Sequence, residues 1–295
     1  IMPSLVGSEM CIRDRVRGVT TIFSVRHEDL SRMESNEALR AIRDLLWCKC
    51  RRLGIPISDT DMCEAEIKDG GIDLRINARI STATDDILPG LNCFQVKSGK
   101  SKKPSEKWIL KELFNSVDQS EVSQTNLGTE VQRCLDEDGR YVLVFSGLDM
   151  TGKQISECEN SLRKAFKKCG YTNAKVDVWS QQKLIGMFSA FPSLCLQITK
   201  RDDLCFKDYL SWKMESNMQR EFYQSQGIKL LIQEIRTHLY KNDPCHIRLI
   251  GPSGVGKTRL ALEALSHRDL APLVVYISDS EDFHKTQLFL SLIHI

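Results

Sequence analysis

Two strings in this chain carry residue types at spacings that can do chemistry. The first is split between Asp69-Gly-Gly-Ile-Asp73 and Gln95-Val-Lys97. The Asp73 carboxylate, the Gln95 amide oxygen and the backbone carbonyl between Gln95 and Lys97 are hard oxygen donors of the kind Mg²⁺ takes. A metal held there activates water and neutralises a phosphate. A lysine beside it orients the nucleophile and stabilises developing charge. Asp73, Gln95 and Lys97 are therefore candidate catalytic residues, with Asp73 and Gln95 as metal ligands. The plainer alternative makes Asp73 the end of a strand turn and Lys97 a solvated lysine.

The second string is Gly251-Pro252-Ser253-Gly254-Val255-Gly256-Lys257-Thr258, a phosphate-binding loop pattern. Its glycines let the backbone curl so that N–H groups face a phosphate. Lys257 is placed for the β- and γ-phosphates, and Thr258 for a nucleotide-bound Mg²⁺. The helix N-terminus adds partial positive charge. A related string, Gly147-Leu-Asp-Met-Thr-Gly-Lys-Gln154, carries Gln154 where a metal-binding hydroxyl is needed, and is set aside.

These residues need elements to position them. Leu39, Ile42, Leu46, Cys50 and Leu53 recur at helical spacing over 35–53, and Gly54 with Pro56 ends that helix. A short strand is expected at 65–68 and a turn at 69–71. Ile72, Leu74, Ile76 and Ala78 alternate as one face of a strand over 72–80, and a further strand runs over 91–96. Alternation places Gln95 and Lys97 on one face. Helices are expected at 107–117, 130–135, 155–168 and 182–191, and strands at 176–179 and at the apolar run Tyr141–Phe145. The strand before the phosphate loop is 246–250, the helix after it 259–265, and Leu273–Ile277 is a second strand of that module.

Composition bounds the rest. A hydrophobic content of 41% and a charged content of 27% describe a chain able to build a core. The net charge of +2 says nothing for or against nucleic acid. No apolar run approaches the ~18 residues of a membrane span. The 11 cysteines are scattered without a Cys-x-x-Cys, which speaks against zinc and for a reducing, cytoplasmic setting. His27, His246 and His284 show no ligand spacing. The lysines 100, 102, 103, 107 and 111 follow Lys97, and are either a phosphate-binding surface or a solvated face.

Residues 1–15 and 290–295 look like translated sequencing-adapter DNA and are left out of the fold. The expected division is a first domain at 16–200, a helical connector at 201–240 and the start of a nucleotide module at 241–289. The fold class is α/β: a mixed sheet flanked by helices, then the first part of a parallel-sheet domain.

The string Ile67-Lys-Asp-Gly-Gly-Ile-Asp-Leu74 followed by Phe94-Gln-Val-Lys-Ser-Gly99 resembles the PD-(D/E)xK restriction-endonuclease superfamily, in particular its Mrr-like branch. That resemblance implies a Mg²⁺-dependent DNA endonuclease and an acid on the first helix. Asp44 is the first choice for that acid and Glu37 the second. The segment Arg248 to Leu265 looks like the STAND class of signalling NTPases. It implies ATP binding, assembly of a homo-oligomer on activation, a trigger bound elsewhere in the protein, and a setting in bacterial antiphage defence. A DNA-repair or restriction ATPase–nuclease, and a nucleotide-gated DNA-binding scaffold without catalysis, are the alternatives.

Overall fold

The structure, a computed structural model, describes residues 23–62, 70–81, 83–84, 86–99, 104–114, 126–200, 206–241, 247–267 and 270–277. The expected strand at 65–68, both end segments, and lysines 100, 102 and 103 lie outside the described residues. The first unit runs α1 (His27–Ser31), α2 (Ser35–Arg52), β1 (Thr60–Met62), β2 (Leu74–Ala78), β3 (Gly90–Lys97), α3 (Glu106–Leu113), α4 (Thr129–Asp136), β4 (Arg140–Phe145), α5 (Gly152–Lys168), β5 (Lys175–Trp179), α6 (Gln181–Phe188) and α7 (Pro192–Thr199).

Five strands form one mixed sheet in the order β1-β2-β3-β4-β5. The β1–β2 and β2–β3 pairs are antiparallel, and the β3–β4 and β4–β5 pairs are parallel. Parallel neighbours need crossovers, and α3 with α4, then α5, supply them. β4 is buried along its whole length, as its unbroken apolar run predicts for a strand covered on both faces.

The two faces have separate cores. On one, Leu39, Ile42, Leu45 and Leu46 of α2 pack with α6 and α7 against Leu74, Ile76, Phe94 and Val142. On the other, α3, α4 and α5 cover Cys93, Tyr141, Leu143 and Phe145. Ile72 departs from expectation: it belongs to this second core, whereas Leu74, Ile76 and Ala78 belong to the first. The reason is the turn at Gly70 and Gly71, both with positive φ, which swings the chain off the strand line before Leu74. A Cβ on Gly70 would sit 2.5 Å from Thr129 Oγ1, so the turn packs directly on the start of α4.

Beyond Thr199 come β6 (Phe206–Asp208), α8 (Tyr209–Lys213), α9 (Gln226–Leu239), α10 (Lys257–Ala264) and β7 (Val275–Ile277). The segment expected as a helical connector therefore contains a strand. β6 pairs antiparallel with β7, so β7 does not join 246–250 in a parallel sheet as expected. Residues 247–250 form no regular element, and Ile250 is 83% exposed. A strand is held by its neighbours' backbone, and among the described residues none pairs with this segment. A small core of Tyr209, Trp212, Met218, Leu262 and Val274 holds the second unit, with Trp212 and Tyr276 stacked at 4.3 Å. No helix among the described residues is long and apolar enough to cross a membrane.

Candidate active site

The first site is built where β2 parts from β3. Leu74 pairs with Phe94, and Asp73 extends that ladder by one bond, its N–H donating to the Phe94 carbonyl at 2.9 Å. The chain then turns away at Gly71-Gly70, which leaves the next amide of β3 without a backbone acceptor from β2. The Asp73 carboxylate takes that place: Val96 N–H donates to Asp73 Oδ2 at 2.6 Å. The carboxylate is thus pinned to the peptide between Gln95 and Lys97.

Gln95 and Lys97 both face the second core, the side of α3, α4 and α5, as alternation predicts. Two residues not anticipated from the sequence meet them there. The Tyr141 hydroxyl, on β4, donates to Gln95 Oε1. Burial pushes the Tyr141 phenol well above its usual pKa, and the charges of Asp73 and Glu112 push it further, so it remains a donor. Glu112 of α3 forms an ion pair with Lys97. Ile109 and Leu113 bury the inner side of α3, Ser105 caps its start, and Glu112 lies beside that buried seam. Lys107 and Lys111 are exposed on the same helix.

Burial sets the character of the site. Gln95 is 5% exposed, whereas the Lys97 and Glu112 side chains are about a quarter exposed. The centre is closed behind and open in front. Among the described residues no group of three or more His, Cys, Asp or Glu side chains forms a ready cage for a metal. The donors present fit Mg²⁺ in its usual manner, with one or two carboxylates and the remaining positions left to water and substrate.

No family model matches the chain, and no curated protein or solved structure shows significant similarity to it.

Asp44 does not join Asp73, Gln95 and Lys97. It sits on α2, across the sheet, where it accepts from Arg43 at 3.0 Å and from Gln197 at 3.3 Å. Burial raises its pKa, and Arg43 partly offsets this. It lines a cavity of about 260 Å³ between α2, α7 and α8. Helical period hides this: α2 carries two acids, Glu37 and Asp44, and only the packed structure shows which side of the sheet the helix covers. Glu37, the second choice, pairs with Lys200 at 2.6 Å.

The phosphate loop is open. Gly254 and Gly256 have φ of 80° and 87°, left-handed values that suit glycine, and α10 begins at Lys257. Residues 251–255 and Thr258 are exposed. Lys257 Nζ donates back to the carbonyls of Gly251 at 3.0 Å and Pro252 at 2.8 Å. The far end of α10 is closed by Arg236, which donates to the Ala264 and Glu263 carbonyls. The set-aside string at Gly147–Gln154 is closed instead: Thr151 caps α5 in a reciprocal capping box with Gln154.

The cysteines found among the described residues are free and buried. Burial pushes the Cys50 thiol up to about 12 and the Cys158 thiol up to about 11, which makes them poor nucleophiles and poor metal ligands.

Proposed function

We propose that residues 16–200 are a Mg²⁺-dependent DNA endonuclease domain and that the loop at 251–258 binds ATP as its switch. The observation that carries this reading is the Asp73 carboxylate bonded to the amide between Gln95 and Lys97. Three groups that suit phosphodiester hydrolysis are thereby gathered at the C-terminal end of the central strand β3.

When bound, the metal supplies an activated water and neutralises charge on the scissile phosphate. The protein does the rest. Asp73 and Gln95 offer the metal their oxygens, and the β2–β3 ladder fixes Asp73. Tyr141 holds Gln95 in one orientation, with its oxygen defined by the phenol. Lys97 directs the attacking water and stabilises the growing charge on the phosphate. Lys107 and Lys111 contact flanking phosphates without reading sequence. Gly254, Gly256, Lys257 and Thr258 hold the nucleotide with its own Mg²⁺, and nucleotide-driven self-assembly brings nuclease domains together on DNA. Antiphage defence in a bacterial cytoplasm is the setting we favour.

One observation favours a second reading. Lys97 is already paired with Glu112, and Gln95 with Tyr141, as in a site that binds DNA or acts as a scaffold without cutting. Plasmid cleavage by the full chain separates the two. The nuclease reading expects nicking with Mg²⁺, none with EDTA, and none from Asp73→Ala or Lys97→Ala. Absence of nicking at any protein concentration, with DNA still bound, supports the scaffold.

A further inference from the structure

Gln95 leaves the site one charge short. Asp73 brings a single negative charge, and an amide oxygen brings none, so a divalent cation held by these two alone keeps a net positive charge. Among the described residues, the acid that reaches Lys97 is Glu112. It comes from α3, not from the sheet, and its side chain is 26% exposed, so it is accessible to an ion arriving from solvent.

We propose that Glu112 is the second carboxylate of the metal site, and that its ion pair with Lys97 is the resting state of that site. This rests on the nuclease reading above. The same carboxylate cannot serve both partners fully. When Glu112 turns its charge to a metal, Lys97 is released to face the phosphate. Metal binding and lysine release are then one event, and the lysine stays neutralised until the metal arrives.

The geometry favours this over a plain surface salt bridge. Ile109 and Leu113 anchor α3 in the core one turn and one residue from Glu112, so the helix that brings the carboxylate to Lys97 is itself held by packing. Its partner, Lys97, is the last residue of β3 and follows the peptide that binds Asp73. An exposed ion pair has no need of either constraint.

The test is Mn²⁺ binding to the full chain by titration calorimetry, without nucleotide, with thermal melting to confirm that each variant folds. Glu112→Gln is expected to weaken Mn²⁺ binding at least tenfold, and Gln95→Glu combined with Glu112→Gln to restore it. Asp73→Asn is the reference for a lost ligand. Wild-type affinity in Glu112→Gln would overturn the proposal and leave the nuclease reading standing. Failure of the double variant to regain affinity, although folded, would also overturn it. If the wild-type chain binds no Mn²⁺, both this proposal and the metal-dependent reading fall.

Discussion

The two chemical regions of this molecule are held in opposite ways. Asp73, Gln95 and Lys97 are fixed by the sheet: each is on or beside a hydrogen-bonded strand, and each has a side-chain or backbone partner within the fold. The phosphate loop at 251–258 is exposed, follows a segment without regular structure, and has its lysine folded onto its own carbonyls. The first region is preorganised, so its chemistry depends on which ligands arrive. On the nucleotide reading, binding must supply the ordering of the second. A third string makes the contrast sharper. Gly147–Gln154 has a similar glycine and lysine spacing, yet its helix N-terminus is already satisfied by Thr151 and Gln154. Glycine spacing alone does not open an anion site, since a side-chain cap on the helix start already takes up its N–H groups.

The largest expected effect is at the fixed region. Asp73→Asn keeps an oxygen to accept from Val96 N–H and removes the charge. Cleavage should fall at least about a thousandfold, because metal-ion charge stabilisation is worth several kcal/mol. Its melting temperature should change little. A large fall in both would mean that Asp73 is only a structural residue.

Glycine substitutions compare the two regions directly. Gly71→Ala meets a positive φ of 94° and a contact of 2.9 Å to Val131 Cγ2. It should cost about 3 kcal/mol, from left-handed strain plus overpacking. Gly256→Ala meets a similar φ with nothing within 4 Å. It should cost about 1 kcal/mol, from strain alone. Chemical denaturation measures both, and equal costs would mean that the two turns are equally constrained.

Lysine substitutions compare the two loops of similar spacing. Lys257→Ala should weaken binding of a fluorescent ATP analogue about tenfold or more, the worth of a charge-assisted hydrogen bond. Lys153→Ala should leave that affinity unchanged. A loss from Lys153→Ala would mean that the capped loop opens to a ligand.

The smallest effect is at the cap. Thr151→Ala should destabilise the chain by about 1 kcal/mol in denaturant, without change in nucleotide affinity.

Much of the first unit was legible in the sequence because its signals are local. The run Tyr141–Phe145 gave the buried strand, Gly70-Gly71 gave the turn, and the alternation Gln95-x-Lys97 gave the shared face. What failed was nonlocal. The Tyr141 hydroxyl reaches Gln95 because β3 and β4 run parallel with Tyr141 opposite Cys93, two residues along the same face, and that register is set by a crossover, not by neighbouring residues. Glu112 carries a usable signal: it falls three residues after Ile109 and just before Leu113, beside the buried seam of α3. Asp44 lies apart from the site for the converse reason: α2 carries two acids, Glu37 and Asp44, and the sequence does not say which side of a sheet the helix will cover. In the second unit, β7 was found at its expected place, but its partner is β6, from a segment read as helical. Short strands take their state from whichever edge is present.

On the nuclease reading, the pinned Asp73–Gln95–Lys97 cluster at the end of the central strand cuts DNA. The most direct test separates cutting from holding in Lys97→Ala. DNA binding is measured by gel shift in Ca²⁺, and cleavage of the same labelled duplex in Mg²⁺. The account predicts that Lys97→Ala binds within a few-fold of wild type and cuts at least about a hundredfold more slowly. Cleavage by Lys97→Ala at the wild-type rate, or a wild-type chain that binds the duplex and never cuts it, would contradict the account.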